Sequence, residues 1–226
     1  PLTHYIIPGS IGGPVKLTWA QVIEMRNEGF GIECHTLDHQ NLTTLSPDDV
    51  AANMEAVNEA FEAAGLPPPE HHSYPFGGVS DAVRAVVSEY RVTGREISAG
   101  TEIVNSWTQE VNWYKLRANN IYKDSEDSVD DVKARIDAAI ENKEVLIVYT
   151  HDISETPGPQ GLHVDRFEEI LDYIAAKRDA GLIEPVTIDG LYRAIQGIRT
   201  HPATGPMTLH GEVTRATYNK TVDYVG

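Results

Sequence analysis

The 226-residue sequence predicts an α/β fold in which parallel strands and helices alternate, as they do in a (β/α) barrel. Three observations carry this expectation. Apolar runs of strand character alternate with amphipathic helical patterns along most of the chain. Several of the helical patterns open on a capping residue and stop at glycine or proline. Three unusual segments, His35 to His39, Tyr74 to Gly78 and His151-Asp152, each follow a strand and precede a helix. In a barrel of parallel strands, all such positions open on one face.

Leu2 to Ile7 reads as a strand stopped by Pro8-Gly9, and Thr18-Trp19-Ala20-Gln21 is a capping box opening a helix that closes at Gly29. The strand ending at His35 follows. Ser46-Pro47-Asp48-Asp49 combines an N-cap, a proline at the first helical position and acids at the positive dipole end. It starts a helix with Val50, Met54, Val57 and Phe61 on one face, stopped by Gly65 and Pro67-Pro68-Pro69. His71 to Tyr74 runs into Pro75-Phe76-Gly77-Gly78, then come a helix from Asp81 to Glu89 and a strand from Tyr90 to Thr93. Gly94 to Tyr122 is irregular and rich in asparagine and tryptophan, which suits loops that carry a site.

Ser128 to Asn142 reads as an amphipathic helix, and Val145 to Thr150 as the clearest buried strand. After a loop from Ser154 to Gly161, His163 to Ala180 forms a helix with Phe167, Ile170, Leu171 and Ile174 at core spacing. Ile183 to Val186 is the last strand, and Thr187 caps the closing helix. Residues 1–198 read as one domain and 199–226 as a polar, turn-rich tail or linker.

A hydrophobic content of 41% over this length suffices for a full core. No apolar run approaches the roughly 18 to 20 residues that cross a bilayer. Acidic residues outnumber basic ones 34 to 18, and the formal charge of −16 repels phosphate backbones and anionic headgroups, which argues against nucleic acid as a partner. Cys34 is the single cysteine, so no internal disulfide forms. It reads as a buried small hydrophobe or as a nucleophile or ligand.

His35 and His39 are four residues apart after a strand, which suits two ligands of one divalent metal or, equally, two exposed loop histidines. His71 and His72 sit at the start of their strand and read as structural. Trp107 and Trp113 could stack on sugar rings or belong to the core.

Together these segments resemble the polysaccharide deacetylases that carry the NodB homology domain, carbohydrate esterase family 4. Leu17-Thr18-Trp19-Ala20-Gln21 with Gly29 to His39 is similar to the family's histidine motif and its preceding helix. Tyr74-Pro75-Phe76-Gly77 is similar to the turn of the Tyr-Pro-x-Gly branch, and Val145 to Asp152 to the late strand ending in the catalytic histidine. The resemblance covers Leu2 to Ile198. It implies a distorted (β/α) barrel of the NodB-homology type, incomplete at its N-terminus, and hydrolysis of N-acetyl groups on amino-sugar polysaccharides by an extracellular or cell-surface protein. His35 and His39 would bind a divalent metal, usually zinc. The Phe76 N–H would stabilise the oxyanion, and His151 would be the general acid, oriented by Asp152. Tyr74, Pro75, Trp107 and Trp113 would face the carbohydrate.

Two departures qualify the resemblance. The family's Thr-Phe-Asp-Asp-Gly strand, which supplies a third ligand and the catalytic base, has no counterpart before Leu2. Its nearest imitation, Val186-Thr187-Ile188-Asp189-Gly190, is better explained by Thr187 as a helix cap. Metal binding is then weak or absent, and the alternative is a catalytically silent carbohydrate-binding or structural module of a cell surface or viral tail. Where one branch has an arginine before the motif proline this chain has Ser73, and Arg117 is the candidate compensating charge. Oligomeric state does not follow from the sequence.

Overall fold

Four short strands, β1 (Thr3–Ile6), β2 (Gly31–Cys34), β3 (His71–Ser73) and β4 (Thr93–Arg95), lie parallel and in chain order in one sheet. They belong to a computed structural model that describes residues 2–14, 16–98, 100–103, 111–122 and 128–200. Trp107 and the tail from residue 201 onward lie outside these residues. The register aligns Ile6 with Cys34, Cys34 with His72 and Ser73 with Arg95, so residues following the strand ends gather at one rim. Leu116 continues the sheet in parallel beside Arg95. Beyond it, β6 (Asn119–Asn120) pairs in parallel with β8 (Val148–Tyr149), and β5 (Thr101–Ile103) pairs antiparallel with β7 (Glu144–Leu146). Two further short strands, β9 (Ile153–Ser154) and β10 (Leu162–His163), pair with each other. Among the described residues no ladder joins β1 to β8. A cavity of about 1620 Å³ opens between them.

Helices cover the outside, and local chemistry sets their starts. Thr18 and Gln21 form the capping box of α1 (Trp19–Asn27), and Ser46 caps α2 (Pro47–Ala63) with Pro47 at its first position. Ser80 caps α3 (Asp81–Tyr90), Ser128 caps α4 (Val129–Asn142), and His163 caps α5 (Val164–Asp179) by accepting from the Asp165 N–H. Thr187 Oγ1 accepts from Gly190 N at 3.1 Å at the start of α6 (Ile188–Thr200). Gly29 ends the α1 turn at φ 93°, a conformation that glycine adopts without steric cost.

Ile6, Ile32 and Cys34 pack under Val22, Met25, Val57 and Phe61, which buries the inner faces of α1 and α2. A second cluster joins Val50 and Met54 to Tyr74, Val83 and Val87, and a third joins Val132 and Ile136 of α4 to Phe167 and Ile170 of α5. Cys34 is buried as the sequence suggests, and Arg91 Nε donates to its Sγ at 3.2 Å. His71 and His72 are fully buried, with His72 Nδ1 3.4 Å from the same sulfur.

Three sequence expectations differ from the structure. The helix expected to end at Glu89 runs to Tyr90, with the Arg91 N–H still donating to Val87 O, so the following strand is Thr93–Arg95 and not Tyr90 to Thr93. The run Val145 to Thr150 divides into β7 and β8 with different partners. It is half-buried because it borders the cavity. Ile183 to Val186 joins no ladder among the described residues and lines the same cavity, while Ile188 N donates to Thr3 Oγ1 at 3.0 Å.

Candidate active site

The loop after β2 carries the first two histidines in a backbone that ordinary residues avoid. Thr36 and His39 both have φ 63° and Phe76 has φ 58°, so three of the four positive-φ non-glycine residues described lie at this rim. Such positions cost about 1–3 kcal/mol each and persist only where the surroundings impose them. Asn53 of α2 does the imposing. Its Oδ1 accepts from Leu37 N at 3.1 Å, its Nδ2 donates to Asp38 at 3.4 Å, and Gly9 N donates to Leu37 O at 2.8 Å.

His35 Nδ1 lies 2.7 Å from the Ser73 carbonyl oxygen. A carbonyl only accepts, so Nδ1 carries the proton and Nε2 presents its lone pair. Burial, opposed by the Ser73 bond and reinforced by Arg95, holds the imidazole pKa down at about 3, so the ring is neutral. The His39 ring stands edge-on to it with centroids 4.8 Å apart, and the Phe76 ring packs 4.7 Å from His39 on the other side. Burial lowers the His39 pKa, against the pull of Asp38.

Tyr74-Pro75-Phe76-Gly77 forms the tight turn that brings Phe76 to the rim, where its side chain is 66% exposed. Tyr74 is different. It is fully buried, its hydroxyl donates to Tyr114 O at 3.0 Å, and a Cβ at Gly94 would lie 2.3 Å from that hydroxyl oxygen. The hydroxyl is therefore tied to the fold, at a residue that also lines the cavity shared by His35 and His39.

His151 follows β8, and its N–H donates to Gln160 O at 3.4 Å. Its ring lies 6.0 Å from the Tyr149 ring, and burial, with smaller contributions from Arg95 and His39, lowers its pKa. His35, His39, Phe76, Arg95, Tyr149 and His151 line the large cavity between β1 and β8. Residues over a hundred positions apart in sequence thus share a pocket.

Three other expectations are corrected. The Asp152 carboxylate accepts from Ser154 Oγ at 3.2 Å and from Gly158 N at 3.3 Å, so it organises the following loop and does not hold the His151 ring. Arg117 is exposed and packs on Gly100, away from the cavity. Trp113 packs edge-on against Tyr192, 4.9 Å away, in a core cluster with Ile188. Trp107 lies outside the described residues.

The cation of the site is Arg95, which the sequence reading missed. It is buried, and its Nη2 donates to Ser73 Oγ at 2.5 Å and its Nη1 to Glu96 O at 3.3 Å. The guanidinium lies 5.0 Å from the ring centroids of both Tyr5 and Tyr149. A signal was present in the sequence: Arg95 is the only cation between Arg91 and Lys115. The displaced strand boundary hid its inward orientation. Asn53 carried no signal, since asparagine inside an amphipathic helix is unremarkable.

The donor set fits a divalent metal in part. Two neutral imidazoles, one with Nδ1 tied to a carbonyl and Nε2 open, suit a borderline-soft divalent ion. Among the described residues, the group of three or more clustered ligand atoms is Glu70, His71 and Asp189, at the opposite end of the sheet from His35. There Arg193 already bridges Asp189 at 2.7 Å and Glu70 at 3.0 Å. No described carboxylate joins His35 and His39 in such a group, so the pair is a partial site.

Comparison with known proteins fits this geometry. Residues 1–94 match the family model for polysaccharide deacetylase. Chitin deacetylase 1 of Saccharomyces cerevisiae is 27% identical over 104 residues, 46% of this chain and 31% of that protein. The chain spans about a third of the length of the curated relatives it matches. Among solved structures, a candidate polysaccharide deacetylase of Mycobacterium smegmatis matches with a TM-score of 0.59 at 13% identity, covering 93% of this chain and 76% of that one. A family 4 acetyl xylan esterase of Clostridium thermocellum, solved with a cobalt ion, matches with a TM-score of 0.54 at 17% identity, covering 86% and 78%. These two likenesses establish the fold, a (β/α) barrel of the polysaccharide deacetylase type.

Proposed function

We infer, from the match of residues 1–94 to the polysaccharide deacetylase family model, that the protein hydrolyses N-acetyl groups of amino-sugar polysaccharides with a divalent metal, zinc or cobalt, at His35 and His39. The observation that carries this reading is the shared cavity of His35, His39 and His151, with His35 Nε2 freed by the Ser73 carbonyl. Bound there, the ion would polarise the acetamide carbonyl and acidify the attacking water. The rest falls to the chain. His151, neutral because burial lowers its pKa, takes the proton released as water adds to the carbonyl carbon. It returns that proton to the amine nitrogen as the C–N bond breaks, leaving acetate and a free amine. The Phe76 N–H, set by the stiff turn after Pro75, would donate to the oxygen that gains charge. The exposed Phe76 ring offers a sugar an apolar face beside His39.

A second reading is favoured by the partial ligand set: a carbohydrate-binding or structural module that keeps the fold without turnover. We place either protein outside the cell, where polysaccharide is met. Among the described residues no helix is long and apolar enough to cross a membrane. Acetate release from an N-acetylglucosamine oligomer, measured with and without added zinc or cobalt, separates the two. Metal-stimulated release that His151→Ala abolishes supports catalysis. Oligomer binding without release supports the module.

A further inference from the structure

We propose that Arg95 is a positioning residue that ties together the two halves of the pocket, His35 through Ser73 and His151 through Tyr149; the proposal rests on the reading of this pocket as a deacetylase centre. Its guanidinium sits where β1, β3, β4 and β8 meet. On one side Nη2 donates to Ser73 Oγ at 2.5 Å, and the carbonyl of the same Ser73 accepts from His35 Nδ1 at 2.7 Å. Ser73 therefore passes the hold of Arg95 to the imidazole and fixes which nitrogen faces the cavity. On the other side the guanidinium stacks 5.0 Å from the Tyr149 ring centroid, and that ring packs 6.0 Å from the His151 ring.

Arg95 is 7% exposed, its Nε has no partner, and its hydrogen bonds go to neutral oxygens. The Tyr5 ring centroid also lies 5.0 Å from the guanidinium, so two aromatic rings flank it. A buried guanidinium with neutral partners destabilises a fold, so a helper in packing alone would be better built from an apolar side chain. The position is a rim of the pocket where both histidine-bearing segments can be reached by one side chain.

The test uses the full chain and reads imidazole geometry directly. Histidine ring nitrogen shifts are recorded for the metal-free protein, cobalt affinity is measured by calorimetry, and thermal unfolding is followed in parallel. Arg95→Met is expected to shift the ring nitrogens of both His35 and His151 and to weaken cobalt binding about 10–100-fold. Arg95→Lys is expected to recover part of that affinity. Ser73→Ala is expected to move His35 and leave His151 alone, and Tyr149→Leu to do the reverse. Unchanged ring shifts and cobalt affinity in a folded Arg95→Met protein overturn the proposal. If that variant does not fold, unchanged shifts in both single-arm variants overturn it. Absence of acetate release from the unaltered protein, with the shifts responding as stated, sinks the deacetylase reading and leaves the positioning role standing.

Discussion

Acidification in the absence of metal is expected to weaken the fold through His35, and His35→Gln is expected to remove that loss. Burial holds this imidazole at a pKa of about 3 against 6.5 for the free side chain. The unfolded chain therefore takes up the proton first, and stability present above 6.5 is lost as the pH falls toward 3. At about 1.36 kcal/mol per pH unit, the full gap corresponds to about 5 kcal/mol, of which about 2 kcal/mol is lost by about pH 5. Glu33 works in the opposite sense. Burial raises its carboxyl to about 8, so it favours the fold at lower pH. Comparing the two proteins at each pH cancels that contribution, because both keep Glu33. The assay is urea unfolding in a chelator at about pH 7.5 and about pH 5. The original protein should lose about 2 kcal/mol more than His35→Gln over this interval. Equal losses, within about 0.5 kcal/mol, would refute the burial of a neutral imidazole at His35.

Two further substitutions separate packing from chemistry. Tyr74→Phe leaves the Tyr114 carbonyl without its donor and should cost about 0.5–1.5 kcal/mol by urea unfolding, with acetate release unchanged. A fall in release at unchanged stability would return Tyr74 to the substrate. Asn53→Ala leaves the Leu37 N–H unpaired and should cost about 1–3 kcal/mol, and cobalt binding should weaken because nothing then imposes the turn at Thr36 and His39. Calorimetry showing full affinity would mean that the loop holds its own shape.

What was legible in the sequence was local. Thr18 with Gln21, Ser46 with Pro47, and Ser128 with Asp131 cap their helices through contacts three residues away, so the pattern contains the whole interaction. The apolar faces of α2 and α5 were readable for the same reason. The strands were harder. Tyr90 closes a helix and does not open a strand, and its hydroxyl reaches Glu55 on a neighbouring helix, 35 residues away in sequence. That shift moved Arg95 from an anonymous loop to the inside of the sheet. Arg117, an equally plausible cation by sequence, fell on the outside against Gly100. Tyr74 and Trp113 carried the side chains expected of sugar contacts, and only their neighbours decided that the Tyr74 hydroxyl would bond Tyr114 at the cavity wall and that Trp113 would join a core cluster.

The sequence by itself determined the β/α rhythm, the capped helices, the acidic surface and the strand-end histidines, because each depends on residues a few positions apart. The tertiary structure alone decided that His35, His39 and His151 share one cavity and that Arg95 stands between them. Depth, hydrogen-bond partner and charge environment are properties of a place in space, and chain distance does not encode them.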